Sequence, residues 1–581
     1  MIILGIHFET SHDSGVAIIK DGKILFAANE ERFSRIKGDN AAPYKSLKEA
    51  LRFTQIKPSD IDIVAFSGSK PGILKIAQHF YTHNSRVWFT HFGYLKSFYT
   101  LKSFDWIRFL RQSGWSGLIG GINLSKNTIE VIQDLKDKGF NKKVIYIDHD
   151  KCHAASAFYT SGYKKSFVAV VEGSSLTNSC SFWLGDGNSI KKIGSVPVLH
   201  SPGRFYELVT RILGFHYLKH SGKITGLAAF GNYKKCYSLV RKLMWTKGRQ
   251  IRVSPQMYSL TDDYFGLNEK TPEPFKSYSR EDVASAFQKG LEDVILDLFK
   301  NYARDFDMTN VSLAGGVFAN VKLNGEICKL KSIKKMYVFP GMGDVGQALG
   351  AALAAYARTN HNFEPFLLEN VYLGPSYSDS EVRQALKKYK IKYRKAKKLS
   401  QEVAKIIADN KVIALFQGRM EFGPRALGNR SILYPAIDKS VNTWLNERLN
   451  RTEFMPFAPV TLFEYAKDCY ERPLLDKCLK SAEFMTIALP VTKFMQRKMP
   501  AAVHIDNTAR PQIIEKSKNN IYYQILDEYR KITGLPSLIN TSFNMHEEPI
   551  ICTPEEAIIA FRKSGIDYLI MNKYIIQRTD S

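Results

Sequence analysis

One local pattern occurs twice in this chain. Residues 2–6 form an apolar run, and a polar turn, a second apolar run and the pair Asp21-Gly22 follow it. The pattern returns at residues 167–171, where a small polar loop leads to another run and to Asp186-Gly187. Asp-Gly between apolar runs is a strong hairpin signal. The sequence therefore predicts an α/β fold with two similar subdomains and a cleft between them, followed by further α/β elements.

His12 lies in the polar turn of the first repeat. The unperturbed pKa of imidazole is near neutrality, so a histidine at a strand end is a candidate general base. The alternative is an ordinary loop histidine without a chemical role.

A histidine pair follows a third apolar run, at residues 144–147. His149 and His153 are four residues apart, so on a helix they share one face. Asp344 follows another apolar run and a glycine turn. Two histidines and a carboxylate suit Fe(II), Mn(II) or Zn(II), so we predict a transition-metal site. The alternative is a chance pair, because this spacing is common in helices.

Two glycine-rich stretches indicate nucleotide handling in the same part of the chain. Lys223 stands among glycines, where it can meet a phosphate. Gly315 and Gly316 end an apolar run and precede Asn320, so the backbone there can lie against a nucleotide. Together they predict a nucleotide-binding cleft.

Residues 416–433 combine three arginines with glycines and a proline. Arg419, Arg425 and Arg430 alternate with Gly418, Gly423, Pro424 and Gly428. Glycines let backbone N–H groups approach a ligand, and arginine presents a fork of donors to phosphate oxygens. This stretch, the arginine loop, predicts a phosphate cradle. The alternative is a basic surface turn.

Composition and charge limit the partners. The chain has 581 residues, and 82 basic minus 56 acidic residues give a net charge of +26. That excess attracts nucleic acid, anionic membranes or phosphorylated ligands, or it belongs to a solvated surface. We expect no nucleic-acid partner, because no helix-turn-helix, zinc-finger or RNP motif is visible. Seven scattered cysteines without a CxxC pair fit a reducing cytoplasm.

Residues 358–369 are polar and interrupt the pattern, so we predict a linker between domains at 1–357 and 370–581. Residues 70–113 hold eleven aromatic residues, seven Lys or Arg and one acid. This stretch predicts peripheral contact with an anionic membrane or a lipid-linked glycan, at the inner membrane face, or else an insertion packed into the protein.

Four motifs carry a family resemblance: Gly423–Leu433 (GPRALGNRSIL), Asn540–Asn544 with Glu548-Pro549-Ile550, the series His504, Asp506, Thr508 and Arg510, and Pro456–Pro459. With them the chain resembles the NodU/CmcH/TobZ-type O-carbamoyltransferases over nearly its whole length. The resemblance implies an actin-like (ASKHA), threonylcarbamoyl-transferase-like first domain and a YrdC-like second domain. It implies that ATP and carbamoyl phosphate give carbamoyl adenylate in the second domain. The carbamoyl group then passes, in the first domain, to a hydroxyl of a small-molecule, sugar or glycan acceptor.

The resemblance also implies residue roles. His12 would serve the transfer chemistry. A metal, Fe(II) first among the candidates, would be held by His149, His153, Asp344 and Glu172, where the family has an aspartate. ATP with Mg and carbamoyl phosphate would be bound by Arg419, Arg425, Arg430, Arg451, Arg510, Asn540, Thr541, Ser542 and Asn544. The adenylate would meet Lys223, Gly315, Gly316 and Asn320 in the first domain.

The chain departs from the family pattern at two places. Met455 stands where an arginine is expected, and His546-Glu547 replaces a glycine. A tRNA threonylcarbamoylation enzyme and a sugar-kinase-like nucleotide-binding protein remain alternatives, and a homodimer stays open.

Overall fold

The computed structural model describes residues 1–8, 12–68, 129–175, 177–217, 219–260, 272–449 and 455–578. Arg451 and the stretch 70–113 lie outside the described residues. Among the residues described, no helix has the length and apolar character needed to cross a membrane.

The strands of the first domain are β1 (Ile2–His7), β2 (Gly15–Lys20), β3 (Lys23–Asn29), β4 (Ile63–Ser67), β5 (Lys143–Ile147), β6 (Lys165–Val171), β7 (Asn178–Asp186), β8 (Ser189–Pro197), β9 (Met244–Lys247), β10 (Gln250–Val253), β11 (Asn310–Ala314) and β12 (Lys335–Val338). One sheet has the order β3-β2-β1-β4-β5 and another the order β8-β7-β6-β11-β12. In each sheet the first three strands of the order form antiparallel pairs. The fourth strand pairs in parallel with the third, and the fifth pairs in parallel with the fourth. The predicted duplication is therefore confirmed.

The helices of this domain are α1 (Glu31–Ser34), α2 (Tyr44–Thr54), α3 (His149–Tyr159), α4 (Pro202–Ile212), α5 (Ser221–Ala228), α6 (Tyr237–Arg241), α7 (Gln256–Ser259), α8 (Arg280–Tyr302), α9 (Val321–Cys328) and α10 (Gln347–Thr359). Small residues let α10 pack closely on its neighbours. A Cβ on Gly5 of β1 would lie 1.9 Å from Ala348 O, and one on Gly350 would lie 2.0 Å from Cys152 O of α3. Helices α3 and α10 therefore form the buried layer shared by the two subdomains.

The second domain is built on an eight-stranded sheet. The strands of this domain are β13 (Arg394–Lys395), β14 (Ile413–Phe416), β15 (Arg430–Pro435), β16 (Ala458–Leu462), β17 (Leu489–Pro490), β18 (Thr508–Ala509), β19 (Gln512–Ile514), β20 (Ser537–Ser542), β21 (Tyr568–Met571) and β22 (Tyr574–Gln577). The order is β13-β22-β21-β14-β15-β20-β16-β19, and β17 pairs with β18 separately. Its helices are α11 (Asp379–Lys388), α12 (Leu399–Ala408), α13 (Val441–Arg448), α14 (Ala466–Cys469), α15 (Arg472–Ala482), α16 (Lys493–Lys498), α17 (Asn520–Thr533) and α18 (Pro554–Lys563).

The two predicted domains share a hydrophobic core. One cluster of buried residues contains side chains of both domains, from Phe167 in β6 to Ile576 in β22. Helix α10 ends at Thr359, two residues beyond the predicted boundary at 357. The second domain therefore packs on the second subdomain of the first domain. This places loops of the second domain next to the cleft between the two subdomains.

Candidate active site

The structure brings the four predicted metal ligands together. Their ligand atoms all lie within 4.8 Å of one another. His153 Nε2 is 2.6 Å from Glu172 Oε1 and 3.3 Å from Asp344 Oδ1. His149 Nε2 is 3.0 Å from Glu172 Oε2 and 3.4 Å from Asp344 Oδ1.

Local structure explains the cluster. His149 begins α3 and His153 lies one turn later, so both rings project from one face. Glu172 directly follows β6, in the loop of the second hairpin. Asp344 begins a short 3-10 turn after β12. Strands β6 and β12 flank β11 and run in parallel, so their carboxyl ends lie at the same edge of the sheet.

Charge pairing dominates the electrostatics of the cluster. Burial disfavours the charged rings, but the carboxylates of Glu172 and Asp344 outweigh it and raise the pKa values of His149 and His153. The same contacts overcome burial at the acids. They lower the pKa of Glu172 to about 2 and that of Asp344 well below its usual value.

The donor set fits a divalent first-row transition metal. Two imidazoles and two carboxylates converge at one point, and His153 is fully buried. Such nitrogen and oxygen ligands suit Fe(II), Mn(II) or Zn(II). Glu172, which stands where the family has aspartate, reaches both histidines with its longer arm.

His12 lies beside this cluster, with Nδ1 2.7 Å from Asp13 Oδ2. Burial lowers its pKa, but the hydrogen bond to Asp13 and the carboxylates of Asp344 and Glu207 outweigh burial and raise the pKa of His12 to about 9. Asp13 has a positive φ of 70°, which turns the loop at this point.

Sequence reasoning missed three residues near the cluster. His7 ends β1, is 1% exposed and has Nε2 4.0 Å from Asp344 Oδ2. Burial lowers its pKa to about 3, so the ring is neutral at pH 7. Asp13 is adjacent to His12 in the sequence and could have been noticed. Glu207 of α4 gives no local signal, because it reads as one polar position of an amphipathic helix. Burial raises its pKa.

The predicted nucleotide residues have different surroundings. Among the described residues, no atom outside its chain neighbours lies within 4 Å of a Cβ built on Gly316, and Gly343 is limited only by Gly316 Cα at 4.0 Å. The backbone at Gly316 and Gly343 therefore borders open space beside Asp344. Gly315, with φ of 105°, packs its backbone against Val171 of β6. Lys223 is buried in α5.

Asn320, predicted at the adenylate site, makes hydrogen bonds within the protein. Its Oδ1 accepts a hydrogen bond from the backbone N–H of Leu323 and caps α9. Its Nδ2 donates to Gln288 Oε1 at 2.8 Å. The amide is thus used to start a helix and to join it to α8.

A carboxylate of the chain itself occupies the backbone N–H groups of the arginine loop. Glu421 Oε1 accepts hydrogen bonds from the N–H groups of Leu427 and Asn429 at 2.8 Å and of Arg430 at 3.2 Å. Converging N–H groups of this kind bind anions. Glu421 is 1% exposed, so the anion bound here is internal.

The guanidinium groups of Arg430 and Arg419 donate to backbone carbonyls of the chain. Arg430 is fully buried; its Nη1 donates to Gln417 O at 2.6 Å and Asn429 O at 2.9 Å. Arg419 donates to carbonyls at Gly374, Leu25 and Leu373, and so ties the loop to β3 and to the start of the second domain. Arg425 is half-buried in the same loop.

Two of the predicted asparagines are structural as well. Asn540 Nδ2 donates to Ala426 O and Gln512 Oε1, which fixes the arginine loop against β20. Asn544 Nδ2 donates to carbonyls at Met545 and Glu548 and closes the following turn. Thr541 and Ser542 end β20 and are half-buried.

A cavity of about 430 Å³ lies between the two domains. Its walls include Gln288, Glu292 and Lys322 from the first domain and His504, Asp506 and Arg510 from the second. Lys322 Nζ is 2.6 Å from Asp506 Oδ2, so an ion pair crosses the interface within the motif. The volume suits a small-molecule ligand.

Both departures from the family pattern meet helix α5. A Cβ on Gly226 would lie 2.5 Å from Met455 Cγ, so the methionine packs on the helix beside the cavity. Glu547 Oε1 is 2.8 Å from the ring of His220, the residue that precedes α5. The second domain therefore contacts both ends of the helix that carries Lys223.

The arginine loop also touches the turn that carries Asp344. Phe422 packs on Phe339, with ring centroids 6.4 Å apart, and a Cβ on Gly341 would lie 3.1 Å from the ring of Phe422. Arg32 of α1 donates to Gly423 O at 2.8 Å. The two domains thus meet beside the candidate metal centre.

Comparisons with known proteins agree with this architecture. The family models for the carbamoyltransferase N-terminus and C-terminus match residues 2–353 and 404–578. A Methanocaldococcus jannaschii protein, "Uncharacterized protein MJ1058", is 31% identical and is covered over 99% of both chains. The nodulation protein NolNO of Sinorhizobium fredii is 28% identical over 98% of this chain and 79% of its own length.

Among solved structures, full-length HypF in a phosphate- and nucleotide-bound form matches with a TM-score of 0.31 at 11% identity, over 61% of this chain and 55% of its own. That likeness is too weak to support an argument.

The fold and the site define a two-domain α/β transferase whose candidate metal centre lies between duplicated subdomains. The chain belongs to the carbamoyltransferase family, and it is an enzyme that transfers carbamoyl groups.

Proposed function

We propose that the protein is an O-carbamoyltransferase that makes carbamoyl adenylate from ATP and carbamoyl phosphate and transfers the carbamoyl group to an acceptor hydroxyl. The observation that carries the proposal is the cluster of His149, His153, Glu172 and Asp344 at the junction of the duplicated subdomains. It occurs in a chain that matches both halves of the carbamoyltransferase family.

The domain assignment rests on topology. Two sheets of one order, joined through α3 and α10, are the arrangement expected of an actin-like first domain. A YrdC-like second domain is the assignment for the eight-stranded sheet, from the resemblance of its motifs. Adenylate formation belongs to that second domain, and we assign a reactant to the cavity between the domains.

Arg419 and Arg430 donate to backbone carbonyls, so the proposal uses further cations for the phosphates. Arg510 and Lys322 line the cavity between the domains. Arg425 remains a candidate, and Arg451 stays a prediction outside the described residues. Fixed cations aimed at phosphate oxygens stabilise the charge that develops during adenylation. ATP would enter as its Mg complex.

Transfer takes place in the first domain. His12, oriented by Asp13, accepts the proton of the acceptor hydroxyl; the acceptor oxygen bonds to the carbamoyl carbon; and the bond from that carbon to the AMP oxygen breaks. A divalent ion held by His149, His153, Glu172 and Asp344, Fe(II) first among the candidates, would polarise a carbonyl or phosphoryl oxygen. The open backbone at Gly316 and Gly343 leaves room for a phosphate beside Asp344.

Pyrophosphate release tests the proposal. The purified full chain should release pyrophosphate from ATP only when carbamoyl phosphate is also present. Release of ADP with a sugar would instead identify a kinase. No nucleotide turnover with carbamoyl phosphate would overturn the proposed adenylation. The acceptor is a sugar, glycan or natural product, and an acceptor product heavier by one carbamoyl group would identify it.

A further inference from the structure

One edge of the second domain carries many basic residues with no acidic residue among them. Residues 383–398 contain nine Lys or Arg and no acid. We call these nine residues the basic edge: Arg383, Lys387, Lys388, Lys390, Lys392, Arg394, Lys395, Lys397 and Lys398. All nine side chains are exposed. The candidate active site uses none of them.

The fold presents these side chains on one continuous border. They run from the end of α11 through a turn at Lys390, with φ of 52°, into β13. Strand β13 is the outermost strand of the eight-stranded sheet, paired on one side with β22. Arg562 of α18 joins the border, because its Nη2 donates to Tyr389 O at 2.6 Å.

Neighbouring acids neutralise little of this charge. Within the described residues, the ion pair formed by the basic edge is that of Arg394 with Glu402. Lysines on edge strands also prevent sheet-to-sheet aggregation. That role accounts for Arg394 and Lys395, which lie in β13, and leaves seven of the nine cations unexplained.

We propose that the basic edge docks the enzyme on the anionic headgroups of a phospholipid bilayer. Seven of its nine cations are lysines, whose compact charges suit many mobile headgroups better than the planar recognition typical of arginine. A single-stranded nucleic acid would require open aromatic faces for stacking. Here Tyr389 lies under Lys388 and Tyr393 packs against Tyr574, with ring centroids 5.2 Å apart.

The contact is superficial and electrostatic. Tyr393, at 36% exposure, is the large apolar side chain that the described segment 383–398 exposes. Nothing else in this segment would insert into the acyl chains, so attraction depends on charge and is screened by salt. Each lysine near an anionic surface strengthens binding by about fivefold.

Vesicle sedimentation with the full chain tests this inference. Vesicles of phosphatidylglycerol mixed with phosphatidylcholine should bind the protein, and vesicles of phosphatidylcholine alone should not. Changing Lys387, Lys388, Lys390, Lys392 and Lys395 to Gln should weaken binding by about 10³-fold, since each of the five contributes about fivefold. A matched control changes Lys242, Lys247, Lys331, Lys334 and Lys335, which are also exposed, to Gln and removes the same charge elsewhere.

Each outcome decides the question. Selective loss in the edge variant, with retention in the control and in a variant with Arg at the same five edge positions, supports docking. Equal loss in both Gln variants would show a general charge effect and overturn it. Tighter binding of duplex RNA than of the anionic vesicles, lost in the edge variant, would assign the surface to nucleic acid. Pyrophosphate release and melting temperature should be unchanged in every variant.

Discussion

The ring of His220 in the first domain lies 2.8 Å from the carboxylate of Glu547 in the second. Glu547 has a left-handed backbone with φ of 60°, a conformation that costs a non-glycine residue about 1–2 kcal/mol. The chain therefore maintains an interdomain contact at a strained position where the family has a glycine.

Two substitutions of Glu547 distinguish the backbone strain at this residue from its contact with His220. Glu547→Gly and Glu547→Gln both remove the charge that faces His220, but only glycine relieves the left-handed backbone. We expect the glycine variant to be more stable than the glutamine variant by about 1 kcal/mol or less, because glycine also gains entropy in the unfolded chain. Thermal melting measures the difference. A lower melting temperature for the glycine variant would contradict it.

His12→Ala should separate the two half-reactions. The residue lies beside the metal cluster in the first domain, so pyrophosphate release should stay close to wild type. Carbamoyl transfer should fall by about 10²- to 10⁴-fold, the usual effect of losing a general base. Pyrophosphate assays and the carbamoyl mass increment on cellular glycans give the two readouts. Equal loss of both activities would assign His12 to adenylation or to the fold.

The protonation of His12 should depend on Asp13. Because its pKa is raised to about 9, the ring should keep its proton at pH 7 and lose it as the pH rises toward 9. Asp13→Asn removes the carboxylate that accepts the hydrogen bond, so the ring should lose its proton at a lower pH. NMR titration of labelled histidine measures the midpoint. The mechanism needs the neutral ring, so transfer should follow the same curve. An unshifted midpoint would show that Asp13 does not set the pKa.

The metal cluster should hold about one ion per chain. His149→Ala combined with His153→Ala should abolish metal retention, and Glu172→Gln should reduce it, because charged and imidazole ligands are lost. His361→Ala, at an exposed histidine remote in sequence, is the control and should retain the ion. Chelation should lower the melting temperature of the wild type, since the ion binds only the folded chain. Elemental analysis of purified protein decides, and unchanged metal in the double variant would place the ion elsewhere.

Arg430 and Arg425 should behave differently although they share a loop. Arg430→Ala removes the side-chain donors to Gln417 O and Asn429 O and empties a fully buried site, so we expect about 3 kcal/mol or more of lost stability. Arg425→Ala should leave the melting temperature unchanged and reduce pyrophosphate release. Chemical denaturation and the release assay test the pair. A stable Arg430 variant that fails only in release would restore it as a phosphate ligand.

Sequence reasoning succeeded where the signal is local. The Asp-Gly turns predicted both hairpins, and the spacing of His149 and His153 predicted a shared helix face. It failed where tertiary contact decides. An arginine among glycines looks the same in sequence whether it faces a phosphate or, as Arg430 does, backbone carbonyls. Glu421 lies in the same loop, but the sequence does not show that its side chain turns inward to the backbone N–H groups. The approach of Glu207 to His12 depends on chain segments that only the fold brings together.

The hydrophobic core that runs from β6 to β22 has a consequence for the history of the chain. A boundary at the linker can be drawn on the sequence, but a cut there would expose apolar surface on both pieces. Two polypeptides produced by fission of the gene at this point would each carry that apolar surface and would have to assemble to bury it again. The shared core therefore favours inheritance of the two halves as one polypeptide.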